Sequence, residues 1–292
     1  MRKRSHIVSG QRPVSSERPR FEALEQRRLF SGNVVVAMNP VTFAIDVTGG
    51  NQVDAIQITG GPQFGYTVQG LAGTTVNGQA SVSRLRGGPI NVTLGNGNDT
   101  VLLGADQDFD GSAAIQVGNG NNVIAAQGIN RSGAGAALSI TTGNGNNAVT
   151  VTSSFSSSNS QLAIQTGSGN DNVTVSSCFC GNVAINTGAG NDQVNVGIMP
   201  GLANLSIDTG SGDDQVVVSD IFSNVVLNVQ TGNGDDTLFL DKVFFDPSSS
   251  TFDGGRGNNA LTVRRLFNGP SVTNAQGFQT VTVIVIPFDP NA

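Results

Sequence analysis

Along most of this chain, apolar and polar residues alternate in short runs, and the runs come in pairs on either side of a glycine-rich turn. Leu138/Ile140, Leu162/Ile164, Val183/Ile185, Leu205/Ile207 and Leu227/Val229 precede a turn, and Val149/Val151, Val173/Val175, Val194/Val196, Val216/Val218 and Leu238/Leu240 follow one. A period of two, rich in β-branched residues, predicts strands with one buried face. Each turn reads Gly-x-Gly followed by two Asn or Asp residues, with its first Gly at 95, 118, 143, 167, 188, 210, 232 and 255, a spacing of 21–25 residues. One such unit cannot bury its own apolar face, so the units must stack. The predicted fold is all-β, a right-handed parallel β-helix or β-solenoid with coils of about 22 residues. Each coil has two strands and a short third, and the hand follows from the rule for parallel crossovers.

The pattern continues at both ends. Residues 45–58 keep it, with Asp54 in the turn and Ile56 and Ile58 after it, and residues 277–286 read as a closing strand. The 45 residues between Gly50 and Gly95 have room for two coils, the intervening one degenerate near 66–80, which gives about ten coils in all. At about 4.8 Å per coil the rod is on the order of 50 Å long. Phe155, Phe179, Phe222 and Phe244 recur twelve residues after the first Gly and predict an internal ring stack. Thr142, Thr166, Thr187, Thr209 and Thr231 predict a Thr ladder just before the turn. Cys178 and Cys180 flank Phe179 and read as two reduced thiols, because a bridge between strand positions i and i+2 is geometrically unfavourable.

Charge divides the chain. Residues 1–33 carry eight Lys/Arg and three Glu, whereas residues 34–292 carry seven basic residues, eighteen Asp and no Glu. The choice of Asp alone fits a short carboxylate wanted at fixed turn positions. The only His, His6, lies in the basic segment, which removes His-based catalytic pairs from the body. Two cysteines with no partner ligands do not make a zinc site. No run approaches the roughly 18 apolar residues of a membrane-spanning helix, and an acidic body argues against nucleic acid.

The turns resemble the nonapeptide of hemolysin-type (RTX) calcium-binding repeats, GGxGxDxUx with U apolar. GGRGNNALT at 254–262 is the fullest match, and TGSGDDQVV at 209–217 and TGNGDDTLF at 231–239 are close variants. One motif falls in each coil of about 22 residues here, whereas the family packs two into about 18. The resemblance implies calcium held between neighbouring turns by the motif Asp and turn carbonyls. The matching ligand candidates are Asp99, Asp171, Asp192, Asp214 and Asp236, with Asp213 and Asp235 beside them. Asn122, Asn147 and Asn259 occupy the same slot, so the turn can also be built without charge, as an Asx-turn ladder. Carboxylates stacked about 4.8 Å apart repel by roughly 1 kcal/mol in water and by several times that at an effective dielectric near 20, a cost a cation would remove.

Residues 1–33 form a separate, mostly disordered leader, rich in basic residues, Ser and Pro. Within it, RFEALEQRRLFS at 20–31 resembles the LEPR-XLL motif found near the N-terminus of repeat-containing bacterial surface and secreted proteins, with Gln26 in place of its Pro. That resemblance implies export and a secreted or cell-surface location. The expected division is therefore a leader at 1–33 and a solenoid at 34–292. The expected function is non-enzymatic, structural or adhesive, with calcium ions and a cell-envelope or extracellular-matrix component as partners. The alternatives are a ligand-free spacer and a pectate-lyase-like enzyme acting on polysaccharide. The enzyme would need an Arg or Lys beside the acidic cluster, with Arg131, Lys242, Arg256, Arg264 and Arg265 as candidates.

Overall fold

The computed structural model describes residues 32–61, 65–86, 88–104, 112–127, 136–152, 157–266 and 271–286. Expectations that fall on the leader, Phe155, Arg131 or the side chain of Arg265 lie outside them. Among the described residues every regular element is a β-strand.

The alternating runs build two parallel sheets. The strands ahead of each turn pair in register, as in Leu138↔Leu162, Leu162↔Val183, Val183↔Leu205 and Leu205↔Leu227. The strands after each turn do the same, Val149↔Val173↔Val194↔Val216↔Leu238↔Leu261. The long strand Gln215–Gln230 crosses from one sheet to the other, pairing first with Gln193–Gly197 and then with Asn204–Asp208. Single parallel bridges Ser168–Ala189–Ser211–Asn233–Arg256 form the short third ladder inside the turns. The chain is a parallel β-solenoid of about seven regular turns between Gly95 and Gly255, roughly 23 residues each.

The paired apolar residues that flank each turn are all buried, and the two inner faces form one continuous core from Val34 to Val263. Each buried Val, Ile or Leu adds about 1.5–3 kcal/mol relative to exposure. The closing strand Phe278–Ile286 stacks parallel on Asn259–Leu266, as the alternation predicts.

Three expectations need correction. The interval between Gly50 and Gly95 is one coil, not two: Ile45–Thr48 pairs directly with Ile90–Thr93, and Ala55–Gly61 with Thr100–Gly104. The extra residues fold back antiparallel, Gly65–Gly70 on Ala55–Gly61 and Ser81–Leu85 on Gly65–Gly70, while Asn33–Met38 lies antiparallel on Ile45–Thr48. This end is therefore capped by chain running against the parallel sheets.

The Phe series is not an internal stack. Phe179 and Phe222 are exposed, and Phe222 and Phe244 meet on the outside with ring centroids 6.3 Å apart. The reason is a left-handed residue two positions earlier, at Ser177, Ile198, Asp220 and Lys242 (φ 52–54°), which resets the strand alternation at the second corner. The interior aromatic pair is Phe245 and Phe252, edge to face at 5.3 Å. Finally, Cys178 and Cys180, both buried, are joined as a disulfide rather than standing as two thiols.

Candidate functional site: an Asp/Asn column inside the turns

The turn carries the chain from the first sheet to the second, and it is as tight as its glycines permit. The second Gly of all eight turns has φ between +121° and +151°, a region that excludes other L-residues. A side chain there would also strike the coil before it; a Cβ on Gly212 would lie 2.0 Å from the Gly190 carbonyl oxygen.

The slot residue stands four positions after the first Gly, and the buried apolar residues stand at six and eight. All three share one face, so the slot points inward: Asp54, Asp99, Asn122, Asn147, Asp171, Asp192, Asp214, Asp236 and Asn259 are all at most 2% exposed. From Asp99 onward each slot Oδ1 accepts the backbone N–H of the slot residue one coil earlier. The chain of bonds runs from Asp54 N to Asp99 Oδ1 (2.8 Å) through Asp171 N to Asp192 Oδ1 (2.8 Å) and Asp192 N to Asp214 Oδ1 (2.8 Å), ending at Asp236 N to Asn259 Oδ1 (2.8 Å). One residue earlier an exposed ladder runs in the opposite sense. Asn121 N donates to Asn98 Oδ1 (2.9 Å), Asp213 N to Asn191 Oδ1 (3.0 Å) and Asp235 N to Asp213 Oδ1 (2.8 Å).

The second side-chain atom distinguishes Asn from Asp. Asn122 Nδ2 donates to the carbonyls of Gly118 (3.0 Å) and Gly120 (3.1 Å), and Asn147 Nδ2 to those of Gly143 (3.1 Å) and Gly145 (2.8 Å). Asn259 Nδ2 likewise reaches Gly254 and Gly277. The corresponding oxygens, Oδ2 of Asp99, Asp171, Asp192, Asp214 and Asp236, are buried without a hydrogen-bond partner. The ladder threonines lie beside four of these carboxyls. Each hydroxyl has one proton to share between its carboxyl and the next coil, where Thr166 reaches Thr187 O (2.9 Å) and Thr209 reaches Thr231 O (3.1 Å).

Burial therefore governs the electrostatics. It pushes Asp214 up to about 7, with the carboxyls of Asp192 and Asp236 adding to the rise and the Asp192 N–H and Thr209 opposing it. Asp99 and Asp192 are pushed up to about 6 by the same desolvation, and Asp54, Asp171 and Asp236 are also raised by it.

The structure thus aligns Asp99, Asp171, Asp192, Asp214 and Asp236 in one interior column and leaves Asp213 and Asp235 on the outer ladder. This arrangement differs from the ion site that the repeat resemblance implies. The carbonyl of the residue between the two glycines accepts a Gly N–H from the coil before, as in Gly190 N to Ser211 O (2.7 Å) and Gly212 N to Asn233 O (2.8 Å). In the Asn turns the slot amide itself stands within hydrogen-bond distance of the glycine carbonyls that the resemblance would give to an ion. Among the described residues no three His, Cys, Asp or Glu side chains gather as a metal-holding group. Asn122 and Asn147 thus put an amide where the resemblance would lodge calcium.

Among the described residues no basic side chain pairs with the column. Lys242 pairs with Asp220 at 3.3 Å and Arg264 with Asp241, all at the far end of the second-sheet strands, and Arg256 is exposed. The burial of the slot was the feature that sequence reasoning missed. The signal was available in the shared even spacing of slot and core residues.

Fold and site together define a parallel β-solenoid with an internal Asx ladder. No protein-family model matches the chain, and no curated protein or solved structure matches it either.

Proposed function

We propose that this chain is a non-enzymatic β-solenoid rod with a structural or adhesive role at a bacterial cell surface. The observation that carries the reading is the side-chain ladder running without a missing rung from Asp54 to Asn259. Such a ladder, added to two in-register sheets, favours a stiff spacer over a reactive cleft. The polysaccharide-lyase reading draws no support from the described residues, where Lys242 and Arg264 are paired away from the acidic column and Arg256 is exposed. Export is supported by the leader's resemblance to the LEPR-XLL motif.

The test uses the full chain in a bacterial host, with and without residues 20–31. The intact chain is expected to be cleaved by protease added to whole cells, and the deletion to be protected. Protection of both, or release of unsaturated products from a polyuronide by the purified chain, overturns the reading. A large rise in melting temperature in millimolar calcium over chelator would instead return the calcium-binding version of the rod.

A further inference from the structure

We propose that the interior carboxyls of Asp99, Asp171, Asp192, Asp214 and Asp236 are proton-binding sites. Each is a neutral carboxylic acid whose Oδ2–H donates to the glycine carbonyls of its own turn. The proton stands where the Asn amide hydrogen stands at 122 and 147. The assignment does not depend on the rod's location or role.

The argument begins with shape. Asp and Asn differ by one atom, and both occupy the same slot with Oδ1 accepting a backbone N–H, at 2.8 Å for Asp192 and 3.2 Å for Asn147. The Asn amide shows what the remaining position requires, because it donates to two glycine carbonyls at 2.8–3.1 Å. An ionised carboxylate can only accept. It would set a buried anionic oxygen against the carbonyls that the Asn amide satisfies, with at most one Thr hydroxyl beside it to donate. A proton on Oδ2 completes the pattern: Oδ1 remains the acceptor of the ladder and Oδ2 becomes the missing donor.

The neighbours favour the same state. Asp214 faces Asp192 on one side and Asp236 on the other, and Asp236 also lies near Asp213 and Asp235. Asp99 faces Asp54. The nearby Thr166, Thr187, Thr209 and Thr231 hydroxyls also stand 2.9–3.4 Å from carbonyls of the next coil, which compete with the carboxyls for the single Thr proton. The described ion pairs, Lys242–Asp220 and Arg264–Asp241, involve none of the column carboxyls, and Arg256 in the turn beyond Asp236 is exposed.

The consequence is a rod that is tightened by acid. The folded carboxyls keep their protons to a higher pH than the unfolded chain, whose Asp titrates near 4. The contribution of Asp99, Asp192 and Asp214 is therefore complete below about pH 4 and is lost as pH rises through their folded values of about 6 to 7, and the raised Asp171 and Asp236 act in the same direction.

The test is urea denaturation of the full chain in chelator at about pH 5 and about pH 8. The midpoint is expected to be clearly higher at pH 5. The double variant Asp192→Asn/Asp214→Asn is expected to lose much of that difference and to exceed the parent at pH 8, since natural Asn already builds the turn. The exposed pair Asp213→Asn/Asp235→Asn should keep the parent's difference, which separates the column from general repulsion in an acidic protein. Infrared spectra near pH 6 should show a carboxylic-acid carbonyl band that weakens in the interior double variant. A midpoint that is flat or rises from pH 5 to pH 8, or the absence of that band, overturns the assignment. So does calcium at pH 8 restoring the full low-pH stability, because the column would then hold metal rather than protons.

Discussion

Replacing Gly212 with Ala tests how closely the coils are stacked. The new Cβ would stand 2.0 Å from the Gly190 carbonyl oxygen and 2.4 Å from its carbon, both backbone atoms, so relief requires the two coils to part by about 1 Å. Four bonds cross this edge within hydrogen-bond range: Gly190 N to Ser211 O at 2.7 Å, Ser211 N to Gly188 O at 3.0 Å, Asp192 N to Asp214 Oδ1 at 2.8 Å and Asp213 N to Asn191 Oδ1 at 3.0 Å. Stretching all four past their limits loses about 1 kcal/mol each. The disfavoured φ of +127° adds about 1–3 kcal/mol. The sum is about 5–7 kcal/mol, comparable to the whole stability of an ordinary domain. Urea denaturation followed by far-UV circular dichroism is the assay. The variant should unfold at a much lower midpoint, or in two steps if the rod divides at that interface. Gly104→Ala serves as the control, since its Cβ meets nothing within 4 Å and its φ is not in the left-handed region; it should stay within about 0.5 kcal/mol of the parent. Equal stability of the two variants would refute direct contact between stacked turns.

Two further expectations follow from where side chains point. Leu227→Ala, at a fully buried position, should cost about 2–5 kcal/mol by the same assay. Phe222→Ala should cost under about 1 kcal/mol, because the ring is 66% exposed; a loss as large as that of Leu227→Ala would restore the internal stack that its spacing predicts.

Much of this architecture was legible in the sequence because a solenoid writes its cross-section into its period. The repeat placed Val173, Val194 and Val216 in register, and the same offset identified the slot shared by Asp171 and Asn147. What the period could not show was departure from the helical path. Gly65–Gly70 and Ser81–Leu85 run back as antiparallel strands, but by length alone this stretch is indistinguishable from one more worn coil. The Phe222 reading failed for a local reason, since alternation holds only while the strand is unbroken and a left-handed residue at Asp220 reverses its parity. The resemblance of the turns to calcium repeats identified the right residues. Their burial, and the glycine carbonyls facing them, emerge only when neighbouring coils are stacked.

The two ladders of opposite sense bear on how the rod is made. In the inner ladder a coil's N–H waits for the side chain of the coil that follows, while in the outer ladder its side chain waits for that coil's N–H. No coil is finished by what precedes it; each is completed by its successor. A chain folding from its N-terminus would thus carry, at every stage, a growing tip with open donors and open acceptors that match only the next unit. Assembly becomes directional, like a zip whose slider is the newest coil, starting from the antiparallel cap at Asn33–Met38.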